Sequence, residues 1–315
     1  MAQKNIFIFS GQGTQYYQMG MELYNSNEVF HKWVDRLDKI AEKELHISIV
    51  DIISHGKKGT PFSNLLITHP SIYIIEMALA QTLLSRGIKP DYVFGSSLGE
   101  FTAMAIAGVL GIEESLYCII SQAKIIESCC PKGGMLLIAD YPDKLDDYIV
   151  SPDLSIGVVN NSQNFIVSGY IEPIERLEKK LKDNDILCLR LDIEYGFHSF
   201  AIDMAKEKII SLYKNINFKK PLIPYYSSNS KIERNTFDAY YCWDILRNPI
   251  NTAAAITDFL TRSGFYYIDL SPVDTIANLI KQTDKHLTTL SCLTPFGNES
   301  TRLSNMINIL DKQVL

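Results

Sequence analysis

The stretch Tyr92-Val93-Phe94-Gly95-Ser96-Ser97-Leu98-Gly99-Glu100 restricts the fold of this chain more than any other. A short β-prone apolar run ends at a Gly-x-Ser-x-Gly pentapeptide, and Phe101, Met104, Ala105 and Val109 then return at helical spacing. The pattern predicts a strand, a sharp turn and a helix. Glycines two positions either side of Ser97 permit the close backbone approach that such a turn needs, and the central side chain is pushed out of the sheet. Ser97 is therefore a candidate nucleophile.

A strand of this kind belongs in a parallel α/β sheet, and the flanking sequence agrees. Ile6-Phe7-Ile8-Phe9 reads as a buried parallel strand that stops at Ser10-Gly11-Gln12-Gly13-Thr14-Gln15. If the two strands are neighbours, this loop and the serine turn converge at the C-terminal end of the sheet, where sites in open α/β folds lie. The loop lacks the lysine and Ser/Thr of a phosphate-binding loop, and its glycines do not have dinucleotide-binding spacing. Helical periodicity runs from Gly20 to about Lys43 through Leu23, Val29, Trp33, Leu37 and Ile40. After a loop from Ser54 to Pro61, it resumes from Thr68 to Arg86 with Ile72, Ile75, Ala78, Leu79 and Leu83 on one side. A further helix over Ile112 to Glu127 carries Gln122 and Lys124.

Between Gly133 and His198 the rhythm becomes strand (Met135–Ala139), helix (Pro142–Ile149), strands (Ser155–Val159 and Asn164–Ser168), helix (Ile171–Leu181) and strand (Ile186–Asp192). That is the βαββαβ order of a ferredoxin-like unit. Strand-like Ile223–Tyr226, a helix near Ala253–Arg262 and strand-like Tyr266–Leu270 then return to the earlier α/β style. The expected fold is α/β, with a large hydrolase-like domain on a parallel sheet formed by residues 1–130 and 199–315. A ferredoxin-like small domain at 131–198 is inserted into it, leaving a cleft between the two.

Charge and cysteine usage exclude several classes of function. A formal net charge of −6 argues against nonspecific binding to nucleic acid or to an anionic membrane. The six cysteines form no Cys-x-x-Cys pair and have no companion histidine at metal spacing, so they read as reduced thiols. No apolar run approaches the length of a membrane span or a secretory core. The expectation is a cytoplasmic monomer.

Several motifs in order resemble the malonyl-CoA:acyl carrier protein transacylase family, including the free-standing acyltransferases of polyketide synthases. They are Phe9-Ser10-Gly11-Gln12-Gly13-Thr14-Gln15, Gly95-Ser96-Ser97-Leu98-Gly99-Glu100, Val159-Asn160-Asn161-Ser162 with Val167-Ser168-Gly169, Gly196-Phe197-His198-Ser199, and Arg247-Asn248-Pro249. The resemblance implies that Ser97 attacks a thioester carbonyl while His198 takes its proton, since a serine hydroxyl is a weak nucleophile without an adjacent base. It implies that a backbone carbonyl near Ile245 to Asn248 orients His198. It further implies an oxyanion hole from the backbone N–H groups of Gln12 and Leu98. The remaining histidines, His31, His46, His55, His69 and His286, have no motif around them and read as surface or packing residues.

Two departures from the family bear on the acyl group. Ser96 stands where the usual turn has histidine at the pocket mouth, and Phe197 of the Gly196-Phe197-His198-Ser199 motif is expected to contact the acyl group as well. Gln122, twenty-five residues past Ser97, stands where members that use malonyl groups have an arginine. A guanidinium binds the malonyl carboxylate through two parallel charge-assisted hydrogen bonds, and a neutral amide cannot. Leaving that carboxylate buried without a cation costs about 3–5 kcal/mol. Lys124, two positions further along the same helix, points away.

Glutamine at this position is similar to the proofreading acyl hydrolases of trans-acyltransferase polyketide systems. The expected activity is thus removal of stalled or unwanted acyl groups from acyl carrier protein through an acyl-Ser97 intermediate. Phosphopantetheine arrives with the substrate and no cofactor is called for. The alternative is an acyltransferase that loads malonyl or a neutral acyl group onto carrier protein. Two others are an esterase using His286 after Asp269, Asp274 or Asp284, and a non-catalytic module that docks carrier protein.

Overall fold

The computed structural model describes residues 3–144, 152–229, 233–260 and 264–311. Its larger sheet contains β1 (Lys4–Phe9), β2 (Tyr92–Gly95), β7 (Tyr225–Ser227), β9 (Phe265–Asp269) and β10 (Thr288–Ser291) in the order β10-β9-β1-β2-β7. Every pairing in it is parallel. Side-chain alternation divides its packing between two faces. Phe7 and Phe9 enter the main core, whereas Ile6 and Ile8 join Phe94 and Tyr267 in a second cluster. The register sets Phe9 opposite Gly95, so the loop after β1 and the turn after β2 leave the sheet side by side.

Helices cover that sheet, and several differ in extent from the sequence reading. The segment expected as one helix from Gly20 is two, α1 (Met21–Ser26) and α2 (Glu28–Leu45). They part at Asn27, whose side chain accepts from the N–H groups of Val29 and Phe30 and so caps the second helix. The buried stripe of α2 is Phe30, Val34, Leu37 and Ala41, and Val29, Trp33 and Ile40 are only half-buried. A short helix missed in the sequence, α3 (Ile49–His55), precedes the loop that was anticipated from Ser54.

The next helix, α4 (Leu65–Ser85), begins earlier than expected, capped by Asn64, and tolerates Pro70 within it. It is buried nearly all round rather than on one side, because it passes through the main core. After β2 come α5 (Gly99–Ile106) and α6 (Ile112–Cys129).

The smaller sheet contains β3 (Gly133–Ile138), β4 (Leu154–Asn161), β5 (Asn164–Tyr170) and β6 (Cys188–Arg190), in the order β6-β3-β5-β4 with antiparallel pairing. This is the strand order of a ferredoxin-like unit. α7 (Ile171–Asp183) packs Ile174, Leu177 and Leu181 onto one face, against Leu136, Ile138, Phe165 and Val167. Of the helix expected over Pro142–Ile149, Pro142–Lys144 forms a 3₁₀ turn, and 145–149 lie outside the described residues.

One strand was not anticipated. β8 (Ile250–Asn251), from the late part of the chain, pairs in parallel with β4 and extends the small sheet to five strands. It follows a helix, Ala239–Arg247, which also escaped the sequence reading. The helix expected near Ala253 is α-helical over Thr252–Ala255 and π-wound over Ile256–Leu260, while 261–263 lie outside the described residues. β8 thus ties the late part of the chain to the small sheet beside β4.

Candidate active site

The turn after β2 has the close packing that its glycines suggested. A Cβ on Gly95 would lie 2.5 Å from the Glu100 Cα, and one on Gly99 would lie 2.3 Å from the Phe9 carbonyl oxygen. Between them Ser97 adopts φ 52°, a left-handed conformation that costs a non-glycine residue roughly 1–2 kcal/mol. Hydrogen bonds on either side hold it, since Ser96 N–H donates to the Phe9 carbonyl and Glu100 N–H to that of Ser97, both at 3.0 Å. The hydroxyl is left half-buried at the C-terminal end of the sheet.

His198 comes to Ser97 from the small-sheet side, with Nε2 2.9 Å from Oγ. It is itself left-handed, at φ 59°, and its N–H donates to the Leu246 carbonyl at 2.9 Å. The Nδ1 atom lies 3.0 Å from the Asn248 carbonyl oxygen, within the stretch that the family resemblance named. A carbonyl can only accept, so the proton of the neutral ring sits on Nδ1 and the Nε2 lone pair faces Ser97. Burial pushes the imidazole down to about 4, with the Asn248 carbonyl opposing part of that shift. The ring is a neutral acceptor at neutral pH.

The loop after β1 touches the same serine. A Cβ on Gly11 would fall 2.7 Å from the Ser97 Cβ and 3.1 Å from the Leu98 nitrogen, which leaves room only for glycine. Neither the Gln12 nor the Leu98 backbone N–H has a protein acceptor among the described residues. Two donors beside a serine–imidazole pair can receive negative charge that develops on a carbonyl oxygen. Ser10 N–H fixes the loop, donating to Glu76 Oε1 and Ser271 Oγ, each at 2.9 Å. Glu76 also accepts from Thr102 at 2.7 Å, and burial raises its carboxyl well above the usual range. Nothing in the sequence singled Glu76 out.

A cavity of about 210 Å³ opens over these groups. Ser96 and Phe197 are in its wall, as are Gln12, Leu98, Ser97 and His198. Part of its apolar lining comes from the small sheet, through Met135, Leu137, Val158 and Ile166, and the rest from segments beyond it, among them Leu191, Ile276 and Leu279. Asn160, Thr252 and Thr275 supply polar groups. Among the described residues, no lysine, arginine, aspartate or glutamate lines it.

Gln122 is not brought into this wall. It lies buried in α6, with Oε1 accepting from the Tyr213 hydroxyl at 2.9 Å and Nε2 lacking a partner among the described residues. Lys124 turns outward, donating to the Glu44 carbonyl at 2.7 Å.

His69, read from the sequence as a surface or packing residue, belongs to the wall instead. Its Nε2 lies 3.2 Å from Gln12 Oε1, and Gln12 Nε2 donates to the Thr68 hydroxyl at 3.1 Å. Burial pushes His69 down to about 3, so it too is neutral. The available signal was the polar pair Thr68-His69 at the start of an otherwise apolar helix. His286, by contrast, is exposed on a turn away from the cavity, and Asp269 accepts from the backbone N–H groups of Ser271 and Ala277. The esterase arrangement is not formed.

Known proteins resemble this chain over nearly its whole length. The acyl transferase domain family matches residues 6–304. The chain is 38% identical over 315 residues to the polyketide biosynthesis acyltransferase homolog PksD of Bacillus subtilis, covering 97% of this chain and 96% of that protein. It is 36% identical to the polyketide biosynthesis acyltransferase homolog BaeD of Bacillus velezensis, over 97% of this chain and 96% of that protein. Among solved structures, a loading acyltransferase of the avermectin polyketide synthase superposes with TM-score 0.87 at 20% identity, covering 98% of this chain and 99% of the other. The malonyl CoA-acyl carrier protein transacylase of Coxiella burnetii superposes with TM-score 0.82 at 19% identity, covering 98% of each chain. These two share the fold.

Proposed function

The chain belongs to the acyl transferase domain family, and from that premise we propose that it releases neutral acyl groups from acyl carrier protein thioesters in polyketide biosynthesis by hydrolysis. The observation that carries this reading is the cavity wall. Among the described residues it contains no lysine or arginine, and both of its histidines are held neutral by burial. A malonyl carboxylate placed there would be desolvated without a partner, at a cost of about 3–5 kcal/mol. An uncharged acyl chain would meet mainly Met135, Leu137, Val158, Ile166 and Leu191.

In the proposed mechanism, the Ser97 Oγ attacks the thioester carbonyl carbon as His198 Nε2 takes its proton. The carbonyl electron pair moves onto oxygen, where the N–H groups of Gln12 and Leu98 receive it. Collapse of this intermediate breaks the C–S bond, and the imidazolium returns the proton to the leaving thiol. In the second half His198 takes a proton from water, which attacks the acyl-serine. The carboxylic acid leaves, and Ser97 regains its proton from His198. The backbone carbonyl of Asn248 keeps the imidazole in the required tautomer throughout.

We assign the boundaries 1–130 with 199–315 and 131–198 to the two domains, noting that β8 crosses to the small sheet. A second reading, transfer of the acyl group to another carrier thiol, draws support from the relatives, which are named acyltransferase homologs. It uses the same two residues.

The deciding experiment incubates the protein with acetyl- or butyryl-carrier protein and with malonyl-CoA, following acyl masses on both proteins. Free acid should appear from the neutral carriers with little malonylation of Ser97. Efficient malonyl transfer with no free acid would overturn the proposal. Absence of any acyl-Ser97 adduct would leave only a docking role.

A further inference from the structure

The small sheet presents a graded apolar row that starts beside His198 and ends in solvent. Register pairs Val158 with Ile166, Ile166 with Leu137, and Leu137 with Leu189, so one residue from each of β4, β5, β3 and β6 stands on a common face. A bulge between Ile156 and Val158 creates the row. Ile156 packs toward the buried cluster under α7, and the extra residue, Gly157, turns Val158 to the cavity side. Gly157 also marks where the row begins, since a Cβ there would lie 3.4 Å from the His198 Cβ.

Exposure then rises along the row. Val158 and Ile166 are each 9% exposed, Leu137 is half-buried, and Leu189 on the edge strand is 61% exposed. Leu187, two residues back on the same face, is 75% exposed. Val158, Ile166 and Leu137 line the cavity, so the exposed leucines continue an existing wall. Three strand spacings make it roughly 14 Å long.

We propose that this row is the acyl-chain subsite, and that the substrates are extended, saturated or weakly functionalised acyl thioesters of about eight to ten carbons. This rests on the reading of Ser97 and His198 as an acyl-accepting pair. A pantetheine arm is a poor occupant, because its amides need hydrogen-bond partners and these four side chains offer none. Asn160, Thr252 and Thr275, elsewhere in the wall, suit the arm better. Each methylene laid on the row should raise kcat/KM about fourfold, the factor equivalent to ~0.8 kcal/mol. The gain should cease once the chain passes Leu189.

The test follows Ser97 acylation by mass, using acyl N-acetylcysteamine and acyl-carrier-protein thioesters from two to twelve carbons, with free acid measured in the same reactions. Leu189→Ser is the variant, chosen because an exposed edge position can change without loss of fold. The wild type should show the rising profile, and Leu189→Ser should lose at least fivefold at ten carbons while acetyl is unchanged. A flat length profile, or an equal loss at all lengths, would overturn the subsite. A loss seen only with carrier-borne thioesters would assign the leucines to the carrier protein and overturn it as well. A rising profile without free acid would keep the subsite while removing the hydrolytic reading, and free acid with a flat profile would do the reverse.

Discussion

His198 is pinned at three points, by its own N–H on Leu246, by Nδ1 on Asn248 and by Nε2 against Ser97. Its depressed pKa has a kinetic consequence. The ring accepts a proton from Ser97 only when neutral, and burial keeps it neutral down to about pH 4 rather than 6.5. Acylation of Ser97, followed by quenched mass measurement, should therefore stay level from pH 8 to about 5.5 and fall by half near 4. A midpoint near 6.5 would mean that the imidazole is solvated in the working enzyme. His69 acts one step back, through the hydrogen bond from Nε2–H to the side chain of Gln12. His69→Ala leaves that amide oxygen without its donor, and kcat/KM for acylation should drop about tenfold, equivalent to ~1.4 kcal/mol. His69→Gln can donate again and should recover most of the loss. His69→Leu fills the same space without a donor and should stay as slow as His69→Ala, which separates the lost hydrogen bond from a cavity effect.

Two elements carry the geometry that these residues use, the β1 loop and the β2 turn, and their contact is testable at Gly11. Its added methyl would enter the space of the Ser97 Cβ, 2.7 Å away, and would push the loop off the turn. Gly11→Ala should keep its circular dichroism spectrum yet lose roughly a hundredfold in Ser97 acylation, the cost typical of a 1 Å misplacement. The Asn27 cap offers a stability counterpart. Asn27→Ala removes the acceptor for two N–H groups at the start of α2 and should cost about 1 kcal/mol in urea unfolding, with activity unchanged.

These elements also show what local sequence can carry. The β1 loop and the β2 turn were legible because glycine spacing and short apolar runs are local signals. Asn27 broke a helix that hydrophobic spacing alone read as continuous, and the buried stripe keeps Leu23 and Leu37 but has Phe30, Val34 and Ala41 in place of Val29, Trp33 and Ile40. α3 went unseen because it is only seven residues long, too short for the helical spacing of Ile49, Ile52 and Ile53 to stand apart from a buried strand, and its cap, Ser48, is a common loop residue. β8 is two residues long, and only its partner β4 makes it a strand. His69 and Glu76 matter through groups far away in sequence, Gln12 and Ser10, which no local pattern links to them.

At the scale of the whole molecule, the C-terminal ends of β1, β2 and β9 rest on three buried acids, Glu76, Glu100 and Asp269. Glu100 accepts from Ser227 at 2.8 Å, Tyr225 at 2.9 Å and Tyr241, yet burial dominates and raises its carboxyl from 4.5 to about 7. Asp269 is raised from 3.8 to about 6 by the same cause. In the folded protein each keeps its proton to a higher pH than in the unfolded chain. Their stabilisation is therefore present at low pH and lost as pH rises, through about 7 for Glu100 and about 6 for Asp269. The neutral histidines act oppositely. The unfolded chain protonates them from about 6.5 downward, which withdraws stability as pH falls towards 4. Between about pH 4.5 and 6 the losses from Glu76, Glu100 and Asp269 as pH rises outnumber the gains from the two histidines, so stability should fall gently with rising pH there.

Glu100→Gln isolates one of these slopes, because an amide of the same shape can accept from Tyr225 and Tyr241 through its oxygen and donate to the Ser227 hydroxyl through its NH2 without titrating. Wild-type stability includes a loss as Glu100 is forced to ionise between pH 5 and 8, and the variant does not incur it. Urea unfolding at both pH values should show the variant gaining on the wild type by roughly 3 kcal/mol as pH rises from 5 to 8. Curves that remain parallel across that range would mean that Glu100 is ionised in the folded protein at pH 5. The hydroxyls of Tyr225, Tyr241 and Ser227 would then outweigh burial.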